Sequence, residues 1–93
     1  MKIVVNPRIS VRHPEISAKD AKTAWVNAIG LAQRTESSGA TILVAVGFDS
    51  SGRLLELIAV SMDDGSIVIF HAMKATKKVL FESLRVHSPQ LAA

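Results

Sequence analysis

The run His71-Ala72-Met73-Lys74-Ala75-Thr76-Lys77-Lys78 gathers one imidazole and three ammonium groups where a strand pattern hands over to a helical one. Imidazole has an unperturbed pKa of about 6.5, so it can give or take a proton beside a phosphate near neutral pH. A second imidazole, His13, follows Arg12 just ahead of the first helical pattern. Two histidines and a lysine suffice for RNA cleavage without a metal. A base takes the ribose 2′-OH proton, an acid protonates the leaving 5′-oxygen, and cations stabilise the phosphorane. On this reading His71, His13 and Lys74 are the candidate catalytic residues. Lys74, Lys77 and Lys78 crowd a helix start, where the backbone dipole favours acids and each lysine costs about 0.3–1 kcal/mol. An anion held jointly by lysine side chains and helix N–H groups would account for them, and so would lysines that simply face water. Arg53, beside a turn, can clamp a phosphate bidentately or lie on the surface.

These groups belong to a chain of 93 residues that is 48% hydrophobic and 20% charged, the composition of one compact domain. Its size leaves no room for a deep enclosed pocket, so an active site should be shallow and free of cofactor. Without cysteine there is no disulfide, thiolate nucleophile or cysteine-bound zinc, and the three scattered histidines lack metal-ligand spacing. No metal site is expected. Apolar runs fall well short of the roughly 20 residues that cross a bilayer, and Met1–Val5 is too brief for a signal peptide. The expected location is the cytoplasm, with no membrane partner. Net charge is distributed as +3 over Met1–Lys22, −3 over Thr23–Gly65 and +3 over Ser66–Ala93. If the fold brings Arg12 and the Lys74–Lys78 run to one rim, that rim would attract a polyanion, either RNA or an acidic protein. The glycines form no phosphate-loop or dinucleotide fingerprint.

The elements that must position these residues follow from periodicity. Lys2–Val5 reads as a short edge strand stopped at Asn6-Pro7. Ser17 can cap a helix with Asp20 at its third position and Ile16 stapled onto Ala21. Ala21, Ala24, Trp25, Ala28, Ile29 and Ala32 then follow helical spacing, so the helix is expected to run to the polar Thr35–Gly39 segment, with Trp25 in the core. Thr41–Phe48 alternates with apolar residues on both faces and reads as a central strand. Turns at Asp49–Gly52 and Asp63–Gly65 lead into strands Arg53–Ser61 and Ser66–His71, which puts His71 in phase with Ile67 and Ile69. Glu56 is the only charge inside its strand and needs a partner if its face is buried, as a structural ion pair, an edge-exposed carboxylate or a catalytic base. A closing helix runs from about Thr76 to Val86. The expected fold is a single α+β domain over residues 1–86, ordered β-α-β-β-β-α, with an antiparallel sheet packed on helices and a mobile tail at 87–93.

At these positions a family resemblance enters. Arg12-His13 with Ile16-Ser17, then Ala45–Phe48 with Gly52–Leu55, then Ile67–Ile69 running into Lys74–Lys78, resemble the BrnT-type toxins of bacterial toxin–antitoxin modules. Their fold is similar to the RelE group of small ribonucleases, and the likeness covers roughly 10–85. It implies a toxin that arrests growth by cleaving RNA, held in check by a co-expressed acidic antitoxin. A homodimer or a toxin–antitoxin hetero-oligomer would be the candidate assembly. Carried over by position, Arg53, Lys74, Thr76 and Lys77 match family residues, and His13 matches the histidine before the first helix. Where the family has Ser-Ala-Arg-Lys-Ala-Thr, this chain has His71-Ala72-Met73-Lys74-Ala75-Thr76. Met73 thus removes a phosphate-stabilising arginine, while His71 supplies a base. The competing reading is a catalytically silent basic domain that binds an acidic protein or RNA.

Overall fold

The computed structural model describes residues 2–85. Val86 and the tail expected at 87–93 lie outside that range. The element order is β1 (Ile3–Val5), α1 (Arg8–Arg12), α2 (Ala18–Val26), β2 (Ala28–Thr35), β3 (Thr41–Phe48), β4 (Leu54–Ser61), β5 (Ile67–Lys74) and α3 (Lys77–Arg85). The five strands form one sheet in the order β1-β5-β4-β3-β2. Strands β2 to β5 make the antiparallel meander, but β1 joins β5 in parallel, so the sheet is mixed rather than antiparallel. The α+β class holds, and the expected order lacks one helix and one strand.

The first helix expectation is right at its start and wrong at its end. Ser17 Oγ accepts from Asp20 N at 3.0 Å and Asp20 Oδ2 accepts from Ser17 N at 2.9 Å, a reciprocal cap that satisfies two otherwise orphaned donors. Ile16 and Ala21, the staple pair, are both fully buried. The helix then stops at Asn27, whose side-chain amide donates to Phe48 O at 3.1 Å. Residues 28–35 pair with β3 as a strand, although their apolar spacing also suits a helix. Pairing decides the matter, because strand β2 satisfies its backbone groups along β3 and turns Gly30 and Ala32 toward α3. A Cβ at Gly30 would meet Leu84 Cδ2 and Ser83 Oγ at 3.0 Å, so the absent side chain lets α3 close on the strand.

The sheet divides two apolar layers. Ala45, Leu55, Leu57, Ala59, Ile67 and Ile69 pack under α1 and α2 through Ile9, Ile16, Ala21 and Ala24. Trp25 is half-buried against the same layer. On the other face Val44, Val46 and Ala32 receive Val79 and Leu80 of α3. Arg34 fastens α3 to β2 by a bidentate pair with Glu82, at 2.5 Å through each nitrogen. The α2–β3 approach is close enough that a Cβ on Gly47 would overlap the Ala24 carbonyl. Among the described residues no helix is long and apolar enough to cross a membrane.

Candidate functional site

Strand β5 carries a bulge that sequence periodicity does not reveal. Ile69 lies opposite Ala59 on β4, yet His71 lies opposite Ile58, so Phe70 is the extra residue. A one-residue shift exchanges the faces of a strand. His71 therefore leaves the face of Ile67 and Ile69, where it was expected, and joins the face of Glu56. The two side chains meet with Nε2 and Oε2 2.8 Å apart.

Glu56 is 4% exposed and fully engaged. Its Oε1 accepts from Thr76 N at 2.8 Å and from Thr76 Oγ1 at 2.6 Å, while Oε2 faces His71. Thr76 Oγ1 in turn accepts from Val79 N at 3.4 Å. In a capping box the third helical residue supplies a carboxylate for the N-cap backbone. Val79 cannot do so, and Glu56 of β4 supplies it from across the fold. The anion suggested by this lysine-rich helix start is therefore provided by the chain itself, and Thr76 is a ligand of Glu56 rather than an open phosphate site. Burial pushes the Glu56 carboxyl up. Hydrogen bonds from the Thr76 hydroxyl, His71 and Thr76 N–H outweigh it and hold the group below the usual carboxylate range. An ionised carboxylate only accepts, so Nε2 of His71 is the donor in this contact.

A cleft of about 280 Å³ is lined by His13, His71, Arg8, Arg12, Asn6 and Phe70, among others. It unites two of the three expected catalytic residues, His13 and His71, with the expected phosphate ligand Arg12. Arg8 and Asn6 are additions. Pro7 is the N-cap of the short helix α1, Asn6 Oδ1 accepts from Arg8 N at 2.9 Å, and buried Ile9 anchors the turn to the sheet. Arg8 and Arg12, four residues apart, share one side of that turn. That spacing after an Asn-Pro pair was the available signal for both the helix and its basic face. His13 Nδ1 lies 3.7 Å from Glu15 Oε2.

Lys74 does not enter this cleft. It lines a larger cavity of about 510 Å³ together with Arg53, Thr76 and Lys77, while Lys78 lines neither. The single basic rim expected from the charge layout is thus divided between two cavities. Arg53 is not a free clamp. Its Nε donates to Asp49 Oδ2 at 2.7 Å, Nη2 to Asp20 Oδ2 at 3.2 Å and Nη1 to Glu15 O at 2.9 Å. Asp49 Oδ1 also accepts from Ser51 N, Ser51 Oγ and Arg53 N. Burial raises the Asp49 carboxyl, but the Arg53 and Ser51 hydrogen bonds prevail and hold it below the ordinary range. Arg53 therefore ties the β3–β4 turn to the start of α2. No group of histidines and carboxylates among the described residues is arranged to hold a metal. Compared with family models, with curated proteins and with solved structures, the chain matches none.

Proposed function

We propose that this protein is a metal-independent endoribonuclease of the toxin type, acting in the cleft between α1 and the bulged strand β5. One observation carries the reading. A single cleft is lined by two histidines, His13 and His71, and by two arginines, Arg8 and Arg12, and a buried carboxylate holds the imidazole of His71. His71, its Nε2–H held by Glu56, takes the ribose 2′-OH proton at Nδ1. The 2′-oxygen bonds to phosphorus, the bond from phosphorus to the 5′-oxygen breaks, and His13 in its protonated form delivers a proton to that oxygen. The products are a 2′,3′-cyclic phosphate and a free 5′-hydroxyl. Arg8 and Arg12 neutralise the charge that accumulates on the phosphorane. Lys74, Lys77 and Lys78 contribute to RNA attraction outside the cleft.

An RNA substrate goes with a cytoplasmic location, and an acidic antitoxin covering the same arginines would silence the protein. The test is incubation of a single-stranded RNA oligonucleotide with micromolar protein in EDTA, with and without ribosomes. Cleavage leaving cyclic phosphate ends, absent from His13→Ala and His71→Ala, supports the proposal. Intact RNA in both settings, with folded protein, favours the silent binding domain, the reading that Met73 in place of the family arginine supports.

A further inference from the structure

The cavity of about 510 Å³ is large for so small a domain, and its chemistry differs from that of the histidine cleft. Ile16, Leu54, Leu55, Ala75 and Leu80 form its walls, and Lys74 and Lys77 stand on its rim. The other polar groups of the rim are already committed. Arg53 is spent on Asp49, Asp20 and Glu15 O, Thr76 on Glu56, and the Glu15 carboxylate lies toward His13. Neither lysine has a carboxylate within ion-pair distance among the described residues. Apolar walls with a few placed polar groups, at this volume, are the usual form of a small-molecule site. A nucleobase is a poor match, because the lining has no aromatic ring to stack on and no uncommitted side-chain amide or hydroxyl to read a base edge.

We infer that this cavity binds a free aliphatic carboxylate, its chain against Leu54, Leu55 and Leu80 and its head between the ammonium groups of Lys74 and Lys77. The chain leaves water for apolar walls, and the head meets two cations that have no ion-pair partner among the described residues. Selectivity follows from charge. An alcohol of the same length loses the head contact, and a quaternary ammonium head is repelled.

Decanoate, decanol and decyltrimethylammonium, each kept below its micelle concentration, are titrated into the whole protein by calorimetry. Decanoate should bind one to one, at least tenfold more tightly than decanol, with no detectable binding of the ammonium compound. In the Lys74→Ala, Lys77→Ala double variant, which alters only exposed side chains, decanoate should weaken at least tenfold and decanol should not change. Ala75→Leu, which narrows the cavity by three carbon atoms, should weaken binding of both while keeping the circular dichroism of the parent. The inference is overturned if decanoate fails to bind, if Ala75→Leu binds it unchanged, or if the ammonium compound binds equally well. It is also overturned if the protein floats with anionic vesicles but ignores monomeric decanoate, which would point to a lipid surface instead. None of these arms involves RNA, so loss of the ribonuclease reading leaves the result interpretable.

Discussion

Glu56 and His71 are joined across β4 and β5 by a 2.8 Å contact, and the same carboxylate caps α3 through both polar atoms of Thr76. One buried charge thus serves the sheet, the helix start and the orientation of the imidazole. Removing it exposes three partners at once, whereas removing His71 leaves the helix cap intact.

His71→Ala should therefore reduce RNA cleavage by about 10²- to 10⁴-fold, the range expected for a general base. Its thermal midpoint should fall modestly, because the buried Glu56 carboxylate loses one of its three donors while the helix cap stays in place. Single-turnover cleavage and a melting curve on the same preparation provide the check. Cleavage at the parental rate by folded His71→Ala protein would assign the base elsewhere, with His13 the next to test.

Glu56→Gln keeps an acceptor for Thr76 and removes the charge. A loss of about 1–3 kcal/mol at neutral pH is expected, because a charged hydrogen-bond partner is lost in a buried place. The folded carboxyl titrates below its unfolded value, about 4.3. Its stabilisation is thus complete above that pH and disappears as pH falls through the lower, folded value. Asp49, Asp64 and Glu82 are shifted in the same direction, so the parent should itself lose stability in acid. Urea denaturation at about pH 7 and about pH 3 should show the gap between parent and variant narrowing on the acid side. A gap of equal size at both would argue against the charge as its source.

Arg8→Ala combined with Arg12→Ala removes the two arginines of the histidine cleft. If each contacts one phosphate of a single strand, the slope of log affinity against log salt should become shallower by about 1.4. Fluorescence anisotropy with labelled RNA across a salt series measures it. An unchanged slope would place the RNA elsewhere.

For Arg53→Ala the expected effect is on stability. The guanidinium holds Asp49, Asp20 and the Glu15 carbonyl, so its loss should lower the melting temperature while folded protein binds RNA as before. A variant of parental stability with weakened RNA binding would restore Arg53 as a phosphate clamp.

Gly47→Ala should cost about 3 kcal/mol or more, since the new Cβ overlaps the Ala24 carbonyl and the α2–β3 contact must open. Denaturant titration, or failure to recover soluble protein, reports it. Tolerance of alanine would mean that α2 can move away from the sheet at little cost.

The capping box at Ser17 and Asp20, the two turns ending in glycine, the edge position of β1 and the need of Glu56 for a partner were all legible in the sequence. Each depends on neighbours along the chain or on the cost of burying a lone charge. The loose helical spacing through Ala28, Ile29 and Ala32 misled because strand β2 is also apolar on its exposed side, at Ile29 and Leu31, which hides the two-residue alternation. Only pairing with β3 separates the two conformations. Tertiary structure also decided the site. The bulge at Phe70 exists through register with β4, and it alone turns His71 toward Glu56. The guanidinium of Arg53 was a plausible phosphate clamp until the fold brought Asp20 to it from 33 positions away. Residue types and local spacing follow from the chain, but which charge meets which depends on contacts between distant segments, and those form only when the sheet closes.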